Sequence, residues 1–102
     1  MCEYLLNWYK ENNIEQRFSS SFWAYFDGYR IEDPEEFSAV FQNGKDVYIK
    51  LDRLAFEVEL PNYENKVISV CADICINDKK VGWFKIIYLL AGEEFDDYFV
   101  ID

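Results

Sequence analysis

Apolar residues recur every three or four positions in the first part of this chain and alternate in the rest. Leu5, Leu6, Trp8 and Tyr9 make one stripe, which predicts a helix over residues 2–12 ending at Asn12 and Asn13. Phe18, Phe22, Tyr25, Phe26 and Tyr29 share one helical face, and the serines before Phe22 can cap its start. Residues 21–31 also read as a hairpin about the Asp27–Gly28 turn. The helix is preferred because the spacing holds over several turns. In "EDPEEFSAVFQNG", Asp33 is an N-cap, Pro34 occupies the first helical position and Glu36 completes a capping box. Phe37, Val40 and Phe41 are its buried stripe, and Gly44 supplies a left-handed C-cap.

From residue 46 the period is two. Val47, Ile49 and Leu51 share a face, and so do Leu54, Phe56, Val58 and Leu60, with Glu57 and Glu59 opposite. The parity slips near Asp52–Arg53, which predicts a bulge or tight turn. "PNYEN" is a loop. Ile68, Val70, Ala72, Ile74 and Ile76 point inward on the next strand, and "NDKK" turns the chain. "VGWFKIIYLLA" is apolar on both faces, as in a central strand covered on both sides. After "GEEF", "DDYFVID" is a last strand. The order predicts one α+β domain over residues 1–102, with N-terminal helices packed on one face of an antiparallel meander of about five strands.

Composition narrows the function classes. The chain is 51% hydrophobic and 20% aromatic, so it is not a disordered acidic tail. Twenty acids against ten bases give a formal charge of −10. That field repels nucleic acid and anionic lipid and speeds encounter with basic proteins. It also keeps an aromatic-rich domain in solution, with no other role required. His is absent, which excludes Ser-His and Cys-His nucleophile pairs within the chain. Cys2, Cys71 and Cys75 form an odd set without a preceding secretory signal, so reduced thiols and a cytoplasmic location are expected. On a strand, Cys71 and Cys75 would lie about 13 Å apart, too far for a disulfide. They read as packing residues.

The acidic run "EEFDD" raises the question of metal. The calcium-loop pattern is missing, and adjacent Asp96 and Asp97 on a strand point to opposite faces. No metal, cofactor or catalytic site is expected. Paired carboxylates could run acid–base chemistry, but twenty acids make any given pair uninformative. A binding surface remains. Glu57 and Glu59 share a strand face, and Asp73 sits with Ser69, Cys71 and Cys75. Glu93, Glu94, Asp96 and Asp97 form the final turn. If the strands are neighbours, these acids make a patch near Tyr63, Trp83 and Tyr98. The expected partner-binding residues are therefore Glu57, Glu59, Asp73, Trp83, Glu93, Glu94, Asp96 and Tyr98. Within the last strand, Phe95, Phe99 and Ile101 should pack inward and Asp97 should sit at the rim of that face or be hydrogen-bonded.

The stretch "VGWFKIIYLLAGEEFDDYFVID" resembles the last hairpin of small acidic immunity proteins from bacterial toxin–immunity systems. There a paired strand ends at a Gly-acid turn and a short "DDYFVI"-like strand follows. The resemblance implies a cytosolic domain that binds one cognate toxin, often a basic nuclease, and it carries over no contact residues. The helices-then-sheet order is also similar to cystatin-like folds. Three expectations follow. The first is an immunity or inhibitor protein that docks on a basic toxin. The second is a phage-type inhibitor of a host defence or DNA-binding enzyme, with carboxylates standing in for phosphates. The third is a small enzyme or ligand-binding domain with a pocket lined by Trp23, Tyr25 and Tyr29.

Overall fold

The structure, a computed structural model, describes residues 2–61 and 64–102. Helix α1 runs Cys2–Glu11, α2 Ile14–Glu32 and α3 Pro34–Phe41. Strands β1 (Val47–Glu59), β2 (Glu64–Ile76), β3 (Lys79–Leu89) and β4 (Glu94–Ile101) follow. They form one antiparallel sheet in chain order, β1-β2-β3-β4. No helix among the described residues is long and apolar enough to cross a membrane.

The α1–α2 break has a local cause. Asn13 adopts a left-handed conformation, φ 53°, which Asn tolerates better than most residues. The helix resumes at Ile14, well before the serines. Ile14, Phe18, Phe22 and Phe26 recur every fourth position and are fully buried, so the apolar stripe starts a turn earlier than expected. Ser19–Ser21 therefore lie inside α2 and cap nothing, which corrects that reading. Residues 21–31 are helical, as preferred. At α3, the Glu36 backbone N–H donates to Asp33 Oδ1 at 3.4 Å behind Pro34. Gln42 is the first residue past the helix, with φ 56°, and Gly44 takes φ 76° two residues on.

Among the described residues the sheet has four strands, where about five were expected. The irregularity at Asp52 is a bulge inside β1, and both halves stay paired to β2. One extra residue restores the inward parity, so Ile49 and Leu51 share the helix-facing side with Leu54 and Phe56. Leu60 is 70% exposed, past a second register shift between Glu57 and Glu59, rather than inward as expected.

Helices cover one face only. Phe18 and Phe22 meet Phe84 edge-on, and Trp8 meets Tyr88. The core lies between them, with Ile68, Val70, Ile74 and Ile86 buried beneath. β3 alternates accordingly: Gly82, Phe84, Ile86 and Tyr88 are buried, while Trp83, Lys85 and Ile87 are half-buried on the open face. Among the described residues nothing packs over that second face, so β3 is central but not covered on both sides. Its apolar residues there are shielded by cross-strand neighbours alone.

The β3–β4 turn is tied to the helices. Trp8 Nε1 donates to the Leu90 carbonyl at 2.9 Å, and Arg17 Nη2 donates to the Gly92 carbonyl at 2.6 Å. Gly92 has φ 102°, and a side chain there would run into Asn12 Oδ1. These contacts set the position of everything after residue 92.

Candidate functional site

The expected partner residues divide between two surfaces. Register places Glu57, Asp73, Trp83, Asp96 and Tyr98 on the open face of the sheet, with Asp73 directly opposite Trp83 and Tyr98 opposite Lys85, whereas Glu94 pairs with Tyr88 on the helix side. Bases reach these acids from neighbouring rungs. Lys80 Nζ lies 3.4 Å from Asp73 Oδ1, and Lys85 Nζ lies 4.0 Å from Glu57 Oε1, which also accepts from Ser69 Oγ at 3.0 Å. Arg53, Cys71, Asp73, Lys80, Trp83 and Lys85 line a shallow concavity of about 280 Å³. Burial raises the Cys71 thiol pKa, so it is not an activated nucleophile. This face is charge-mixed and holds no strong acidic field. The Glu59 side chain and Tyr63 lie outside the described residues.

The negative charge is elsewhere. Residues 45–92 carry seven acids and seven bases, whereas residues 93–102 carry five acids and no base. Residues 1–41 carry eight acids and three bases. Two of those bases are taken up by contacts within the fold. Arg17 holds the β3–β4 turn, and Arg30 lies over the rings of Phe26 and Phe37, at 5.5 and 4.9 Å. No ion pair among the described residues involves an acid of α2, α3 or β4.

α2 and β4 are in contact, so these two acidic segments adjoin. Ser21 Oγ donates to Glu94 Oε1 at 2.8 Å, which draws the exposed Glu94 side chain to the helix side of the sheet. Asp96 Oδ1 accepts from the Asp97 N–H and Asp96 Oδ2 from the Tyr98 hydroxyl, each at 2.9 Å. That second bond, with Asp96's charge, raises the Tyr98 pKa. The Asp97 carboxyl is pushed above its usual range by desolvation first, then by Glu94 and Asp96. It sits at the rim, as its parity implied. Phe95 does not pack inward. A register shift between Ile87 and Tyr88 moves it out of phase with Phe99, and it is 58% exposed.

Between α2 and β4 lies an open groove of about 340 Å³, lined by Tyr25, Gly28, Tyr29, Glu32 and Phe99. Tyr25 and Tyr29 were expected to line a pocket, but Trp23 was wrongly included: it turns toward Phe22 and Phe26. Burial, followed by Glu36 and Asp33, pushes the Tyr29 hydroxyl pKa up to about 12. Sequence reading missed Gly28, Glu32 and Phe99 as groove residues. Their signal is the helical spacing of Tyr25, Gly28, Tyr29 and Glu32, which marks a second face of α2 beside the buried stripe.

No group of Cys, Asp and Glu side chains among the described residues is arranged to hold a metal ion. No family model matches this chain, and no curated protein or solved structure is significantly similar to it.

Proposed function

We propose that this protein is a non-enzymatic inhibitor of the immunity type, which neutralises a basic toxin, such as a nuclease, by docking on it. The observation that carries this reading is the unneutralised acidic flank where α2 meets β4. Five acids without a base close the chain, beside exposed aromatic side chains. Unpaired surface carboxylates raise the rate of encounter with a cation-rich partner, and half-exposed Tyr and Phe provide area to hold it. The flank replaces the open sheet face as the proposed contact, because Glu57 and Asp73 already have cationic partners.

The test is capture and inhibition. Tagged protein is used to retain partners from host cells, and the retained protein is purified and mixed back. The reading expects a basic protein, a stoichiometric complex that weakens as salt rises, and loss of the partner's activity in the complex. A neutral or acidic partner, or a complex that leaves the partner fully active, would reject it.

A further inference from the structure

β4 is an edge strand, and its outward backbone groups can be assigned. The Asp102 N–H donates to the Val81 carbonyl at 2.9 Å. Antiparallel pairing alternates, so Asp96, Tyr98 and Val100 direct their backbone groups to β3, and Asp97, Phe99 and Ile101 direct theirs away from the sheet. The Asp96 carboxylate takes the Asp97 N–H. The N–H of Phe99 and Ile101 and the carbonyls of Asp97, Phe99 and Ile101 remain as a ladder awaiting a strand. The pairing from Asp96 to Ile101 has no register shift. The opposite edge, β1, is interrupted by its bulge at Asp52 and carries Lys50 and Arg53. The β1 bulge breaks its edge in mid-strand, whereas the β4 shift at Phe95 lies before the regular Asp96–Ile101 run, and the basic residues of β1 would repel a basic segment.

Resting on the reading above, we infer that the β4 edge and the α2–β4 groove together form a docking site for an extended basic segment of the partner. The segment adds as a fifth strand, and one of its Arg or Lys side chains enters the groove. A strand laid on β4 would send alternate side chains to the helix side, the side that Phe99 occupies. There the groove offers the rings of Tyr25, Tyr29 and Phe99 and the carboxylate of Glu32. That chemistry fits a long aliphatic stem ending in a cation. The residues flanking the ladder, Glu94, Asp96 and Asp97, select the same charge. The acids alone would name no site; the unpaired ladder beside an aromatic groove does.

The test uses the full chain and the peptide Val-Arg-Val-Lys-Val-Arg-Val, followed by nuclear magnetic resonance. The expected shifts fall on Asp97–Ile101 and on the α2 face of Tyr25 and Glu32. Amide exchange slows at Phe99 and Ile101. A peptide N-methylated at alternate residues, which cannot complete the ladder, binds about tenfold more weakly. Glu32→Gln weakens the parent peptide several-fold while leaving the spectrum of the free protein unchanged outside α2. Shifts confined to the Trp83 face, indifference to N-methylation, or no saturable binding would overturn the proposal. With a captured basic partner, Ile101→Pro removes an outward N–H without touching the β3 ladder. Unchanged affinity in that variant would remove the edge from the interface and leave the inhibitor reading standing. Failure to find any basic partner would remove the inhibitor reading itself.

Discussion

Phe99 lies flat against Tyr25, with ring centroids 5.2 Å apart and 6° between the planes. This stack joins the last strand to the middle of α2. Phe99 also meets Phe22, Tyr29 and Phe84, so the β4 edge is held by one ring shared among four others. Phe95, two positions before Asp97, makes none of these aromatic contacts.

Phe99→Ala should destabilise the fold by about 3 kcal/mol, at the low end for a Phe truncation because the ring is only half-buried. Phe95→Ala should change stability by no more than about 0.5 kcal/mol. Urea unfolding of the two variants checks the pair. Similar losses in both would contradict the register shift that separates them.

Gly92→Ala should cost about 1–3 kcal/mol. It places a side chain at φ 102° and against Asn12 Oδ1, at the turn that Arg17 clamps. Gly28→Ala should instead stabilise by up to about 1 kcal/mol, since it lies within α2 with nothing near the new methyl group. Thermal unfolding should therefore move in opposite directions for two glycine substitutions of identical chemistry.

The Asp97 carboxyl has a folded-state pKa raised above its usual 3.8. The folded state thus holds the proton more tightly than the unfolded state. Its stabilising contribution is present below pH 3.8 and is lost as pH rises through the raised pKa. Asp97→Asn should accordingly raise the melting temperature at pH 7 relative to the parent protein, with the difference shrinking as pH falls below that window. A parent protein equally or more stable at neutral pH would show that Asp97 gains a partner that offsets its desolvation.

Charge reversal separates the two acidic regions. With a basic partner in hand, Glu32→Lys and Glu93→Lys should each slow association several-fold at low salt and less at high salt. Asp73→Lys should have a smaller effect, because Lys80 already neutralises Asp73. Stopped-flow association rates across a salt series provide the measurement. An equal or larger effect at Asp73 would return the interface to the open sheet face.

Much of this architecture was legible in one dimension. A helix shows its buried stripe every three to four residues and a strand every two, so the order of helices and then sheet followed from Phe18, Phe22 and Phe26 and from Ile68, Val70 and Ala72. The Asp33–Pro34–Glu36 start of α3 was equally local, since a cap involves residues three apart. What remained hidden depends on residues far apart in sequence. A parity slip at Asp52 looks alike as a bulge or a turn until β2 pairs through it, and Phe95 loses its inward place only because β4 slips against Ile87 and Tyr88. The distribution of free charge was hidden for the same reason. Carboxylates can be counted along a chain, but whether each is neutralised depends on which bases the folded sheet brings beside it, and Lys80 and Lys85 reach Asp73 and Glu57 only there. Composition determined that the molecule is acidic and aromatic; tertiary pairing decided that the free charge gathers where α2 meets β4.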